Sequence, residues 1–128
     1  MKALTVDDST VIRKMVSKVL SGAGFEVAEA GNGEEALLYL LQTGAPDLVV
    51  LDWNMPHMGG LEFLGRMRSL DRFRNIKVIM LTARNEMAAV QQAMHAGANE
   101  YLMKPFVPEL LIDKIRLVGL DVKDLDVE

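Results

Sequence analysis

The sequence predicts an α/β fold, a doubly wound parallel sheet of five strands with five helices, on three observations. Short apolar runs rich in Val, Leu and Ile alternate five times with longer segments of helical spacing. The runs Leu48-Val49-Val50-Leu51 and Val78-Ile79-Met80-Leu81 are apolar without alternation, so both faces of those strands are covered. The loops between elements are short, and right-handed crossovers then put helices on both sides of one sheet.

In chain order, strands are expected at 2–6, 26–30, 47–51, 76–81 and 99–103, with helices starting near Thr10, Gly33, Gly60, Glu86 and Pro108. Asp8-Ser9-Thr10 offers side-chain oxygens to cap the first helix, and Gly22 and Gly24 close it. Gly97 ends the fourth helix in the same way. No linker, repeat or low-complexity tract interrupts the pattern, so residues 1–120 read as one domain. Residues 121–128 form an acidic tail without a clear apolar face and are expected to fray.

Composition narrows the function. At 128 residues, half apolar and a quarter charged, the chain has the balance of an ordinary globular domain. A net charge of −4 has the wrong sign for binding nucleic-acid phosphate. The absence of cysteine excludes disulfides, thiolate metal sites and cysteine nucleophiles. Only a few apolar residues precede Asp7-Asp8, which fits neither a signal peptide nor a membrane span, so the cytoplasm is the expected compartment and no membrane partner is expected.

In open α/β sheets ligands bind outside the carboxyl ends of the strands. The first strand ends in Asp7-Asp8, the third in Asp52, the fourth in Thr82 and the fifth in Lys104. Each alone is bland: Asp7-Asp8 reads as a strand stop and helix cap, Asp52 as a turn residue ahead of Pro56. Together they crowd three carboxylates into one crevice, where repulsion raises at least one pKa unless a cation is present. Oxygen donors without Cys or a nearby His favour Mg2+. Beside Mg2+, Asp52 can act as a nucleophile toward phosphorus. Lys104 then neutralises phosphoryl oxygens, while the Thr82 hydroxyl and the Ala83 N–H donate hydrogen bonds to them.

The set Val6-Asp7-Asp8, Asp52-Trp53-Asn54-Met55-Pro56, Gly59-Gly60, Thr82-Ala83 and Lys104-Pro105-Phe106 closely resembles the response-regulator receiver family over about residues 1–118. The version Asp-Trp-Asn-Met-Pro, with Tyr101 ahead of the lysine, is most similar to its chemotaxis members. The resemblance implies a flavodoxin-like strand order 2-1-3-4-5, Asp52 as phospho-acceptor, and Mg2+ held by Asp7, Asp8, Asp52 and the carbonyl of Asn54. It further implies a cis Lys104-Pro105 bond.

The fourth helix carries two stripes, Met87, Val90 and Met94 in one and Ala89, Ala93 and Ala96 in the other. The small stripe is expected against the sheet, leaving Met87 and Val90 partly exposed near Tyr101. By the resemblance that face, with Lys114, meets targets. The nine methionines are otherwise expected mostly as core fillers, Trp53 and Phe106 as partly buried aromatics, and His57 and His95 as exposed residues without chemistry.

The expectation for function is therefore a stand-alone, monomeric response regulator rather than an enzyme, taking part only in its own phosphotransfer and dephosphorylation. A sensor histidine kinase is the donor, and the target is a flagellar motor switch protein or, in a relay, a histidine phosphotransfer protein. A small Mg2+-dependent phosphohydrolase with an aspartyl-phosphate intermediate is the rival. Such enzymes carry a second Asp two residues after the nucleophile, where this chain has Asn54. Two departures from the family pattern are Ser9, where an aromatic is frequent, and Arg84, a cation two residues beyond Thr82.

Overall fold

A computed structural model describes residues 1–55, 57–83 and 87–123. Pro56, Arg84, the expected helix start at Glu86 and residues 124–128 lie outside the described residues. In chain order the elements are β1 (Lys2–Val6), α1 (Thr10–Gly22), β2 (Glu26–Ala30), α2 (Gly33–Thr43), β3 (Leu48–Asp52), α3 (Gly60–Arg68), a single 3-10 turn (Asp71–Phe73), β4 (Lys77–Ala83), α4 (Met87–Ala96), β5 (Glu100–Lys104) and α5 (Pro108–Leu117). The five strands are all parallel in the order β2-β1-β3-β4-β5, as expected. Among the described residues no helix is long and apolar enough to cross a membrane.

Two apolar layers follow from the alternation of side chains along each strand. Leu4, Val6, Val49, Leu51, Val78 and Met80 pack beneath α2, α3 and α4, where Leu40, Phe63, Leu64, Met67 and Ala93 meet them. Ala3, Leu48, Val50, Ile79 and Leu81 face α1 and α5 through Val16, Leu20, Leu111 and Ile115. The central β3 is buried along its whole length, which is why its sequence shows no alternation.

Helix ends follow local chemistry. Ser9 caps α1, its Oγ accepting from the Ile12 N–H at 3.3 Å, and the Asn32 Oδ1 caps α2 by accepting from the Glu35 N–H at 2.9 Å. Gly97 leaves α4 at φ +113°, a left-handed turn that suits glycine. Arg68 at the end of α3 then reaches across to this turn. Its Nε and Nη2 donate to Gly97 O at 3.1 and 2.9 Å, Nη2 also reaches Asn99 Oδ1 at 3.1 Å, and Nη1 donates to Phe73 O and Arg74 O. Arg68→Ala strands several of these half-buried carbonyls and should cost about 2 kcal/mol in urea unfolding.

Three sequence expectations are corrected. Val122 is 9% exposed, and the Lys123 N–H donates to Ala23 O at 3.3 Å, so residues 121–123 pack on the end of α1 instead of fraying. Of the nine methionines, Met58, Met67 and Met80 are buried, but Met1, Met15, Met87, Met94 and Met103 are exposed. Val90 is 6% exposed and belongs to the buried face of α4 with Ala89 and Ala93, whereas Met87 is 53% exposed.

Candidate functional site

Register brings the polar strand ends together. Val6 pairs with Leu51, which carries Asp7 alongside Asp52, while Asp52 pairs with Leu81 and Ala83 with Lys104. Asp7, Asp52 and Thr82 are each at most 5% exposed, and Asp8 lies exposed at the rim. Carboxylate oxygens of Asp7, Asp8 and Asp52 all fall within 4.8 Å of one another. Lys104 reaches into this cluster, its Nζ 2.9 Å from Asp52 Oδ1 and 3.6 Å from Asp7 Oδ2.

The loop from β3 to α3 folds tightly over the strand end. The Gly60 N–H donates to Trp53 O at 3.1 Å, and a Cβ on Gly60 would lie 2.7 Å from Asp52 O and 3.1 Å from the Trp53 Cα. Only glycine permits this approach, because backbone cannot give way cheaply. His57 in the same loop has φ +66° and is exposed, as is Asn54. The Lys104-Pro105 bond is cis, in agreement with the family pattern.

Electrostatics match the crowding that the sequence implied. Burial pushes the Asp52 carboxyl up; the Lys104 ammonium opposes this while Asp7 and Asp8 add to it, and the net pKa is about 6 against an ordinary 3.8. Burial works to lower Lys104, but the hydrogen bond and attraction from Asp52 and Asp7 outweigh it and hold the ammonium above its usual range. Asp7 Oδ2 and the Thr82 hydroxyl are buried without a hydrogen-bond partner among the described residues. Buried polar atoms are rarely left so, and both belong to the crevice around Asp52.

These donors fit a hard divalent cation: three carboxylates, one of them with a buried oxygen that accepts no hydrogen bond among the described residues, and neither thiolate nor imidazole among the clustered groups. The acidic cluster is thus a place where a metal can be held. The sequence did not anticipate that Arg13 would approach it, Nη1 donating to the Asp7 carbonyl at 2.8 Å. Nothing in the local pattern of α1 distinguishes that arginine from a solvated one.

The remaining expected residues lie on the α4–β5–α5 side. Tyr101 is half-buried, with the Lys114 Nζ 4.9 Å from its ring centroid, and the same ammonium pairs with Glu100 Oε1 at 3.1 Å. Met87 and Met103 are exposed on that side, and Val90 contributes little surface.

Residues 3–116 match the model of the response regulator receiver domain, and the chain belongs to that family. It is 41% identical to the chemotaxis protein CheY1 of Helicobacter pylori over 119 residues, covering 92% of this chain and 96% of the relative. The chemotaxis protein CheY of Pseudomonas aeruginosa is 38% identical over 119 residues, with 92% and 95% covered. Among solved structures, CheY4 of Vibrio cholerae superposes with a TM-score of 0.85 at 38% identity, covering 91% of this chain and 97% of that one.

Proposed function

We propose that this chain is a phosphorylation-operated response regulator of a two-component chemotaxis system. A sensor histidine kinase presents a phosphohistidine, an Asp52 carboxylate oxygen forms a bond to phosphorus, the P–N bond breaks, and the imidazole leaves. The observation that carries this reading is the buried Asp52 held 2.9 Å from Lys104 beside two further carboxylates and a buried Thr82 hydroxyl with no hydrogen-bond partner among the described residues. Little covalent work falls to the protein in phosphoryl transfer, so positioned charge and hydrogen bonds supply most of the catalysis.

Mg2+, held by Asp7, Asp8, Asp52 and the Asn54 carbonyl, supplies charge compensation for the carboxylates and phosphoryl oxygens. Lys104 keeps its ammonium on the acceptor side, and the Thr82 hydroxyl and Ala83 N–H donate to the phosphoryl group. An apolar hollow lined by Ile12, Met15, Pro105 and Phe106 opens beside Lys104 and gives a donor protein a surface to rest on.

Thr82 moving toward the phosphoryl group vacates space into which Tyr101 turns, leaving Lys114 and changing the face that carries Met87. The partner drawn to that face is a flagellar motor switch protein, met by a monomeric regulator in the cytoplasm. A histidine phosphotransfer protein accepting the group from Asp52 is the relay alternative, and capture of phosphorylated protein by one partner or the other separates them.

Trp53 adjoins Asp52 and is the chain's single tryptophan, so its fluorescence reports on the site. It should change on adding Mg2+ and again on adding a small acyl-phosphate donor. Repeated turnover of phosphate monoesters without a donor would overturn this reading in favour of a phosphohydrolase.

A further inference from the structure

Arg13 stands on α1 with its side chain 18% exposed and touches two strands at once. Its Nη1 donates to the backbone carbonyl of Asp7 on one side at 2.8 Å, and its Nε donates to Glu29 Oε1 at 2.9 Å on the other. Glu29 is itself fixed by Lys14, whose Nζ lies 3.0 Å from Oε2. Gly31 lies beside the guanidinium, a Cβ there standing in ordinary contact at 3.7 Å from Nη1.

The Asp7 carbonyl and the Asp8 N–H share one rigid peptide plane, so a bond to the carbonyl sets the direction in which Asp8 leaves the strand. The other polar groups of Asp7 are also tied. Its N–H donates to Ala30 O at 3.1 Å, and its Oδ1 accepts from the Ser9 N–H at 2.9 Å. Among the described residues Oδ2 accepts no hydrogen bond, and it lies within the carboxylate cluster, 3.6 Å from the Lys104 Nζ.

We propose that Arg13, anchored by Glu29, is a positioning residue for the metal-binding end of β1, holding the Asp7-Asp8 peptide so that both carboxylates meet one cation. This rests on the Mg2+ site of the proposed function. Read simply as a surface ion pair between α1 and β2, Arg13 would matter little. The bond to Asp7 O separates the two readings, because one planar guanidinium spans a carbonyl and a carboxylate that an ammonium cannot bridge in the same geometry.

The sign of the effect is diagnostic. Arg13 brings positive charge to a cation site, so by electrostatics alone its removal tightens Mg2+; loss of positioning weakens it.

The test is a Mg2+ titration of the full chain by calorimetry, with Trp53 fluorescence as a second readout and no phosphodonor. Arg13→Gln and Arg13→Lys should each weaken Mg2+ about tenfold, the low end for residues that orient metal ligands, and Glu29→Gln should weaken it less. Thermal midpoints in chelator confirm that each variant is folded. Unchanged or tighter binding in Arg13→Gln, or full affinity in Arg13→Lys, overturns the proposal, as does a wild-type chain that binds no Mg2+. A wild-type chain that binds Mg2+ and refuses the phosphoryl group sinks the proposed function instead, while the comparison of Arg13 variants keeps its meaning.

Discussion

Asp52→Asn should abolish phosphoryl uptake from a small acyl phosphate and, in metal-free buffer at about pH 7.5, raise the thermal midpoint. The reason is the cost of the ionised carboxylate in its crevice. Burial, then Asp7 and Asp8, lift the Asp52 pKa from 3.8 to about 6 despite Lys104, so the folded state binds this proton more tightly than the unfolded chain does. Stability therefore falls as pH rises from about 4 to about 6, and the full cost remains above that window. A shift near two units corresponds to about 3 kcal/mol.

An amide avoids that cost but gives Lys104 a poorer partner, which returns part of the gain. A net stabilisation of about 1–2 kcal/mol, or roughly 3–8 °C, is expected at neutral pH, vanishing below about pH 4 where the wild-type carboxyl is protonated. Mg2+ should then raise the wild-type midpoint more than the variant's. A variant less stable than wild type at neutral pH without metal would mean that Asp52 is not under the electrostatic load its surroundings imply.

The same crowding explains why the site was legible in the sequence. Each reactive group follows directly on a mainly apolar strand, so strand pairing alone brings Asp7, Asp52, Thr82 and Lys104 to one edge. Strand ends were read slightly short. β3, β4 and β5 run on through Asp52, Ala83 and Lys104, because a backbone ladder continues past the first polar side chain.

Burial on α4 was harder to read. At about 100° per residue, Val90 lies near one edge of the arc covered by Ala89 and Ala93, and Met87 and Met94 fall only about 40–60° further round. A buried arc somewhat over 100° wide takes in the valine and leaves both methionines out. Sequence spacing ranks those positions but does not fix the arc's edge, which depends on how α4 sits against β4 and α3. The Arg13 contact and the docking of residues 121–123 escaped for a related reason: Arg13 donates to Asp7 O and the Lys123 N–H to Ala23 O, and backbone carbonyls carry no side-chain pattern.

The second large effect is expected at Lys104, and it isolates the charge that balances the crevice. Lys104→Met keeps the length and apolar stem but removes an ammonium 2.9 Å from Asp52 and 3.6 Å from Asp7. Asp52 then loses its chief lowering influence, and its pKa climbs above the present value of about 6. Breaking a buried pair from one side commonly costs about 3–5 kcal/mol. Because Lys104 is 28% exposed and Asp52 can relieve the strain by taking a proton, about 2–3 kcal/mol is expected at neutral pH in chelator.

Two features identify the cause. The deficit should shrink on going down to about pH 5, as Asp52 protonates in the variant, and it should shrink again on adding Mg2+, whose stabilisation of Lys104→Met should exceed that of wild type. In the Asp52→Asn background, Lys104→Met should cost much less than in wild type, since the carboxylate that required the ammonium is gone and the double-mutant cycle reads their coupling. A deficit independent of pH and equal in both backgrounds would assign Lys104 to packing, with its charge playing no part in holding Asp52 ready.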